Sequence, residues 1–214
     1  MKSTARTLSK ALVALAGTFT LFSAQAAFTV QSGLVGGSGD VDNVIFNSCT
    51  GNITGPALMI QGCLNGQPTT LVNLSSDESI RVAGGGQSQI VAVDGGFSTL
   101  TISLAALGDT FAKLQVNIDI KDKTKGGKVT FTGNPPGTTS GAFTLDDKGS
   151  NWFTITGEDF SSITLNTTTD IIVDIKQIRL GGQGSSDVPE PASLALLGLG
   201  LLGLGAARRS SKRT

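Results

Sequence analysis

The sequence predicts an all-β fold, an antiparallel β-sandwich with jelly-roll-like character, over the middle of a 214-residue chain. Three observations carry this. Apolar residues recur with period two, the spacing that places alternate side chains on one face of a strand. Glycine, asparagine and aspartate cluster between the apolar runs, where turns need them. No window of a dozen residues has helical spacing, and 105–107 before Gly108 make one turn at most.

The elements follow in order. Residues 1–26 read as a secretory signal: Lys2, Arg6 and Lys10 form a basic start, residues 11–22 an apolar run too short to span a bilayer, and Ala24, Gln25 and Ala26 a small-x-small site. Cleavage is expected after Ala26, with Ala27 as the alternative. Residues 27–187 form the exported domain, large enough to bury about 70% of its unfolded surface. Its first third is looser, with a glycine-rich stretch over 33–39 expected as an exposed loop. The strands are clearest further on. Leu114, Val116, Ile118 and Ile120 alternate with Gln115, Asn117 and Asp119. Val129 and Phe131, Phe153 and Ile155, and Ile163 and Leu165 alternate with polar residues, mostly threonine, which suits a half-buried strand. Ile171, Val173 and Ile175 continue the pattern, and Ile178 and Leu180 resume it one residue out of phase. Turns are expected at Gly84-Gly85-Gly86, Asp94-Gly95-Gly96, Gly126-Gly127 and Asn134-Pro135-Pro136-Gly137.

Composition excludes several chemistries. The chain has no histidine and two cysteines. That removes Ser-His-Asp and Cys-His nucleophiles, histidine-ligated metals and cysteine-ligated clusters, and no cofactor or metal is expected. The formal charge is zero, but 27–187 carry nine bases against fifteen acids, a net −6. An acidic domain argues against nucleic acid, whose phosphates require a basic surface. Cys49 and Cys63 both fall in the exported part, where an even pair implies a disulfide. Closing a loop of about 15 residues contributes about 3 kcal/mol in the chain-entropy estimate.

Four groups of side chains are weighed for function. Asp146-Asp147 and Glu158-Asp159 lie near Trp152 in the sequence, and paired carboxylates at suitable separation can hydrolyse a glycoside. Asp favours turns for its own sake, so solvated turn residues are the expected outcome. Asp40, Asp42 and Asn43 offer oxygen ligands of the kind calcium takes, without the full loop pattern, and read as a polar loop. Lys121, Lys123, Lys125 and Lys128 flank a Gly-Gly turn; Asp119 and Asp122 interrupt them, which favours a solvated hairpin over an anion-binding patch. Trp152 could stack on a sugar ring, but a single tryptophan more often belongs to a core or its rim. No catalytic residue is assigned.

The tail is the most specific part. Residues 192–207 are uncharged and apolar, about 24 Å as a helix against a hydrocarbon core of about 30 Å. Arg208 and Arg209 follow at once and belong on the cytoplasmic side, which leaves the domain outside. Immediately before the apolar run stand Val188, Pro189, Glu190 and Pro191, whose prolines prevent a helix from continuing inward. Motif, apolar segment and basic stop in this order resemble the PEP-CTERM protein-sorting tail. The resemblance implies a Gram-negative bacterium, export by Sec-type machinery, transient membrane anchoring through 192–207, and cutting near the motif by an exosortase. It further implies an association with exopolysaccharide and biofilm matrix. The expected protein is therefore a non-catalytic surface or matrix component. A secreted carbohydrate-binding protein or carboxylate-only glycoside hydrolase is the alternative.

Overall fold

The computed structural model describes residues 28–84, 88–121, 127–135, 137–147, 150–168 and 171–185. The predicted signal with Ala26, the motif residues Val188, Pro189, Glu190 and Pro191, and the stop residues Arg208 and Arg209 lie outside the described residues. The described residues form fourteen strands: β1 (Thr29–Ser32), β2 (Asp42–Ile45), β3 (Ala57–Leu64), β4 (Gln67–Val82), β5 (Gln89–Ala92), β6 (Thr99–Leu104), β7 (Asp109–Ile120), β8 (Lys128–Asn134), β9 (Thr138–Thr139), β10 (Phe143–Thr144), β11 (Asn151–Phe160), β12 (Ser162–Thr167), β13 (Ile172–Gly181) and β14 (Gly184–Ser185). The described residues contain no α-helix, only a 3-10 turn at Ser38–Asp40.

The strands form one antiparallel sheet in the order β1-β11-β7-β13-β2-β3-β4-β6-β12-β8-β10, folded over on itself. One layer holds β1, β11, β7 and β13; the other runs from β3 to β10. The period-two pattern makes this possible, because each strand gives one apolar face to a shared interior. Leu114, Val116 and Ile118 of β7 point inward with no exposure, as do Ile163 and Leu165 of β12. The two far ends of the sheet meet through aromatic rings. Phe153 of β11 lies 5.0 Å from Phe131 of β8 and 5.5 Å from Phe143 of β10, centroid to centroid.

Two strands turn the corners between layers. β4 pairs with β3 and β6 through Val72–Ser76, then bends and pairs with β5 through Ile80–Val82. At the bend Asp77 accepts hydrogen bonds from Ser98 Oγ and from the amide of Thr99 at 2.9 Å. Gly55 sits against this corner at φ 85°, where a Cβ would meet the Ile80 carbonyl at 2.5 Å. At the other corner β2 gives Asp42 and Asn43 to β13 and Val44 and Ile45 to β3. The disulfide Cys49–Cys63 forms, with Cα atoms 5.4 Å apart, and ties the loop after β2 to β3.

Two expectations change and one holds. The first third of the domain holds β1, β2, β3 and most of β4, and is not a loose segment. The 33–39 stretch is the exposed loop expected, with Leu34 and Val35 open to solvent, and two hydrogen bonds anchor it to the first layer: Gly33 N donates to Trp152 O at 2.7 Å, and Val35 N to Thr154 Oγ1 at 3.0 Å. In β13 the inward residue is Ile172 rather than Val173, because register shifts lie between Ile172 and Asp174 and between Lys176 and Arg179. The second shift is the phase slip legible before Ile178. Gln177 takes φ 52° there, and Ile178 turns back inward.

Candidate functional site

The second bulge of β13 organises a polar groove on the outer face of the first layer. Along one edge β13 is paired by β5 over Asp174–Lys176 and by β2 over Arg179–Leu180. Between these strands its backbone is met by buried Ser88, whose carbonyl accepts from Gln177 N at 2.7 Å and whose Oγ accepts from Ile178 N at 2.9 Å. Two cavities open on either side. One, of about 460 Å³, is lined by Asn43, Asn47, Asn65 and Arg179, among others; the second, of about 400 Å³, by Asn117, Trp152, Lys176 and Gln89. Ser88 and Gln177 belong to both, so the two are contiguous.

Strand register explains which side chains meet. Trp152 of β11 stands opposite Asn117 of β7, which stands opposite Lys176 of β13, which stands opposite Gln89 of β5. Outward positions on four adjacent strands thus form one row, about 14 Å across at a strand spacing of about 4.8 Å. Arg179 reaches over the Trp152 ring, 5.4 Å from its centroid, and donates through Nε to Asn43 Oδ1 at 3.0 Å. A cation over an indole face is attracted by the ring quadrupole, so the two side chains hold each other. Among the described residues Arg179 has no carboxylate partner.

Lys176 is committed. Its Nζ lies 2.5 Å from Asp119 Oδ2 and 3.4 Å from Asp174 Oδ2. Its hydrogen bond to Asp119 holds the ammonium above the ordinary lysine range. Burial pushes the Asp174 carboxyl above the ordinary aspartate range, and the neighbouring charge of Asp119 adds to this, while Lys176 works against both. Asn117 is 6% exposed, and its Oδ1 has no hydrogen-bond partner. A buried acceptor in that state costs roughly 1–3 kcal/mol until something donates to it.

The candidates singled out in the sequence are scattered by the fold. Asp146 lies beside Asn151, whose Oδ1 accepts from its backbone amide at 2.7 Å. Asp159 lies at the far end of β11, accepting from Thr110 Oγ1 at 3.3 Å. Eight residues of strand separate those ends, about 26 Å at about 3.3 Å per residue. That is well beyond the 6.5–9.5 Å or so of a glycosidase pair. Asp40 faces Lys113 at 4.0 Å, and Asn43 is held by Arg179. Lys121 and Lys128 border the β7–β8 connection; Lys123 and Lys125 lie outside the described residues. Trp152 is half-buried on the outer face rather than in the core. Sequence reasoning missed its companions Asn117, Lys176, Arg179 and Gln89, because each reads as an ordinary outward position. The phase slip at 176–178 was the one signal near them.

Among the described residues no helix is long and apolar enough to cross a membrane. Residues 187–210 match the family model of the PEP-CTERM protein-sorting motif. No curated protein and no solved structure matches the chain. The matched segment begins just past β14 and contains the motif, the apolar run and both arginines of the stop. It implies export, anchoring at the membrane surface and processing by an exosortase.

Proposed function

We propose that this chain delivers a non-catalytic β-sandwich to the exopolysaccharide matrix of a Gram-negative cell. The signal over 1–26 would direct it to Sec-type machinery, and exosortase cutting near Pro189, Glu190 and Pro191 would complete its maturation. The observation that carries this reading is the sorting-motif match at 187–210, directly behind the folded domain. The separation of the two acid pairs along β11 favours a non-catalytic role over hydrolysis by those carboxylates. The test is intact-mass spectrometry of the protein from a host that has the exosortase. The expected product starts at Ala27 and lacks most of 192–214, and Glu190→Ala leaves an uncut, membrane-held precursor. A mature C-terminus at Thr214 in that host refutes the processing.

A further inference from the structure

We infer that the groove across β11, β7, β13 and β5 binds a saccharide carrying uronic-acid units, with Trp152, Asn117 and Arg179 as its principal contacts. The inference rests on the matrix reading above for where such a ligand would be met. Each feature of the groove specifies part of the ligand. Asn117 Oδ1 is an acceptor buried to 6% exposure without a partner, and it lines the cavity beside Trp152. It calls for a donor such as a hydroxyl. The Trp152 ring offers an apolar, polarisable surface beside the amides of Gln89, Asn117 and Gln177 and the hydroxyls of Ser88 and Ser150. A pyranose presents C–H groups on one face and hydroxyls around its edge, which fits that combination. Among the described residues that line the groove, Arg179 is a cation without a carboxylate partner, whereas Lys176 is already held by Asp119 and Asp174. Its guanidinium can accept a carboxylate in a forked pair, which a neutral sugar lacks. The first cavity continues the track past Ser88 and Gln177 with Asn43, Asn47 and Asn65. Amides both donate and accept, as hydroxyls do, so the track is long enough and polar enough for more than one sugar ring.

The test is calorimetric titration of the exported protein with oligogalacturonate and oligoalginate fragments, and with cello- and malto-oligosaccharides as neutral counterparts. At least one uronate series is expected to bind more tightly than the neutral ones, and added salt should weaken it. Trp152→Ala should weaken binding by roughly tenfold or more. Arg179→Gln should remove the preference for uronates and the salt dependence together. Thr164→Val, on the opposite layer, should change nothing. Far-UV spectra check each variant, and if Trp152→Ala does not fold, Arg179→Gln at the rim carries the decision. Equal affinity for acidic and neutral sugars, variants that bind like the wild type, or no binding to any series overturns the site. Co-fractionation of the protein with matrix in its host is scored separately. Its failure overturns the matrix reading and leaves a measured groove affinity standing.

Discussion

The two outer faces of the sandwich obey the same alternation and differ in almost everything else. On β6, β12 and β8 the outward residues are largely threonines that pair across strands. Thr101 and Thr164 hydroxyls lie 2.9 Å apart, and Thr132 and Thr139 lie 2.8 Å apart. Each such pair satisfies itself, contributes a few tenths of a kcal/mol, and asks nothing of a ligand. On β11, β7 and β13 the outward residues include an indole, amides, two threonines and charged groups such as Lys113, Asp119, Asp174, Lys176 and Arg179, and Asn117 Oδ1 stays unmatched. The 33–39 stretch covers part of this face: Gln115, buried, donates to Val35 O at 3.2 Å. Period two decides which side chains face outward. Whether that face is a solvated surface or a site depends on bulges and on what packs beside it.

The comparison can be broken first through what the faces share. Phe153→Ala removes the ring that joins the two layers, and should destabilise the domain by about 3–5 kcal/mol in urea unfolding. Both faces should then melt together in a single transition. Separate transitions would mean that the layers are not one cooperative unit.

A smaller effect should separate the faces. Lys176→Met leaves Asp119 and Asp174 opposed without their cation. With these groups partly exposed, a loss of about 1–2 kcal/mol at neutral pH is expected. The sign against pH follows from both shifts. Lys176, raised above 10.5, contributes stability that is full below that value and lost as pH rises through its folded pKa. Asp174, raised above 3.8, is a cost at neutral pH that disappears as pH falls through its own folded value. The variant should therefore lie closest to wild type in mild acid and lose the alkaline step. Parallel stability–pH curves would show that the cluster is not coupled.

The smallest effect sharpens the contrast. Thr101→Val on the threonine face should shift stability by no more than about 0.5 kcal/mol in thermal unfolding. A large loss would show that this hydroxyl ladder has a role beyond solvation.

Much of the fold was legible because β8 and β12 keep one face inward along their length, and β7 and β11 do so over 114–120 and 153–155. β4 was not, because it changes layers. Val72 and Leu74 point into the interior before the bend and Ile80 after it, with Ser75, Ser76, Asp77 and Glu78 between them. The inward phase runs on across the corner, but polar Ser76 and Glu78 occupy its positions at the bend, so the alternation breaks into two short pieces. β3 was hidden differently, since Leu58 and Met59 are apolar yet exposed. Of the groove, Trp152 was visible as a lone aromatic. Asn117, Lys176 and Arg179 come from separate strands, and only register brings them beside it.

The place of β13 also decides how the domain bears a load. The sorting tail leaves the fold after β14, a two-residue strand, so tension from the tether passes quickly to β13. That strand is clamped on both edges, by β7 on one side and by β5 and β2 on the other. A pull along its axis loads these hydrogen bonds in parallel, a shear geometry in which many must fail at once. At the border of the sheet, β1 is held by β11 alone and would unzip bond by bond under a sideways pull. While the tail anchors the chain, the domain is held through a strand suited to resist a pull along its axis.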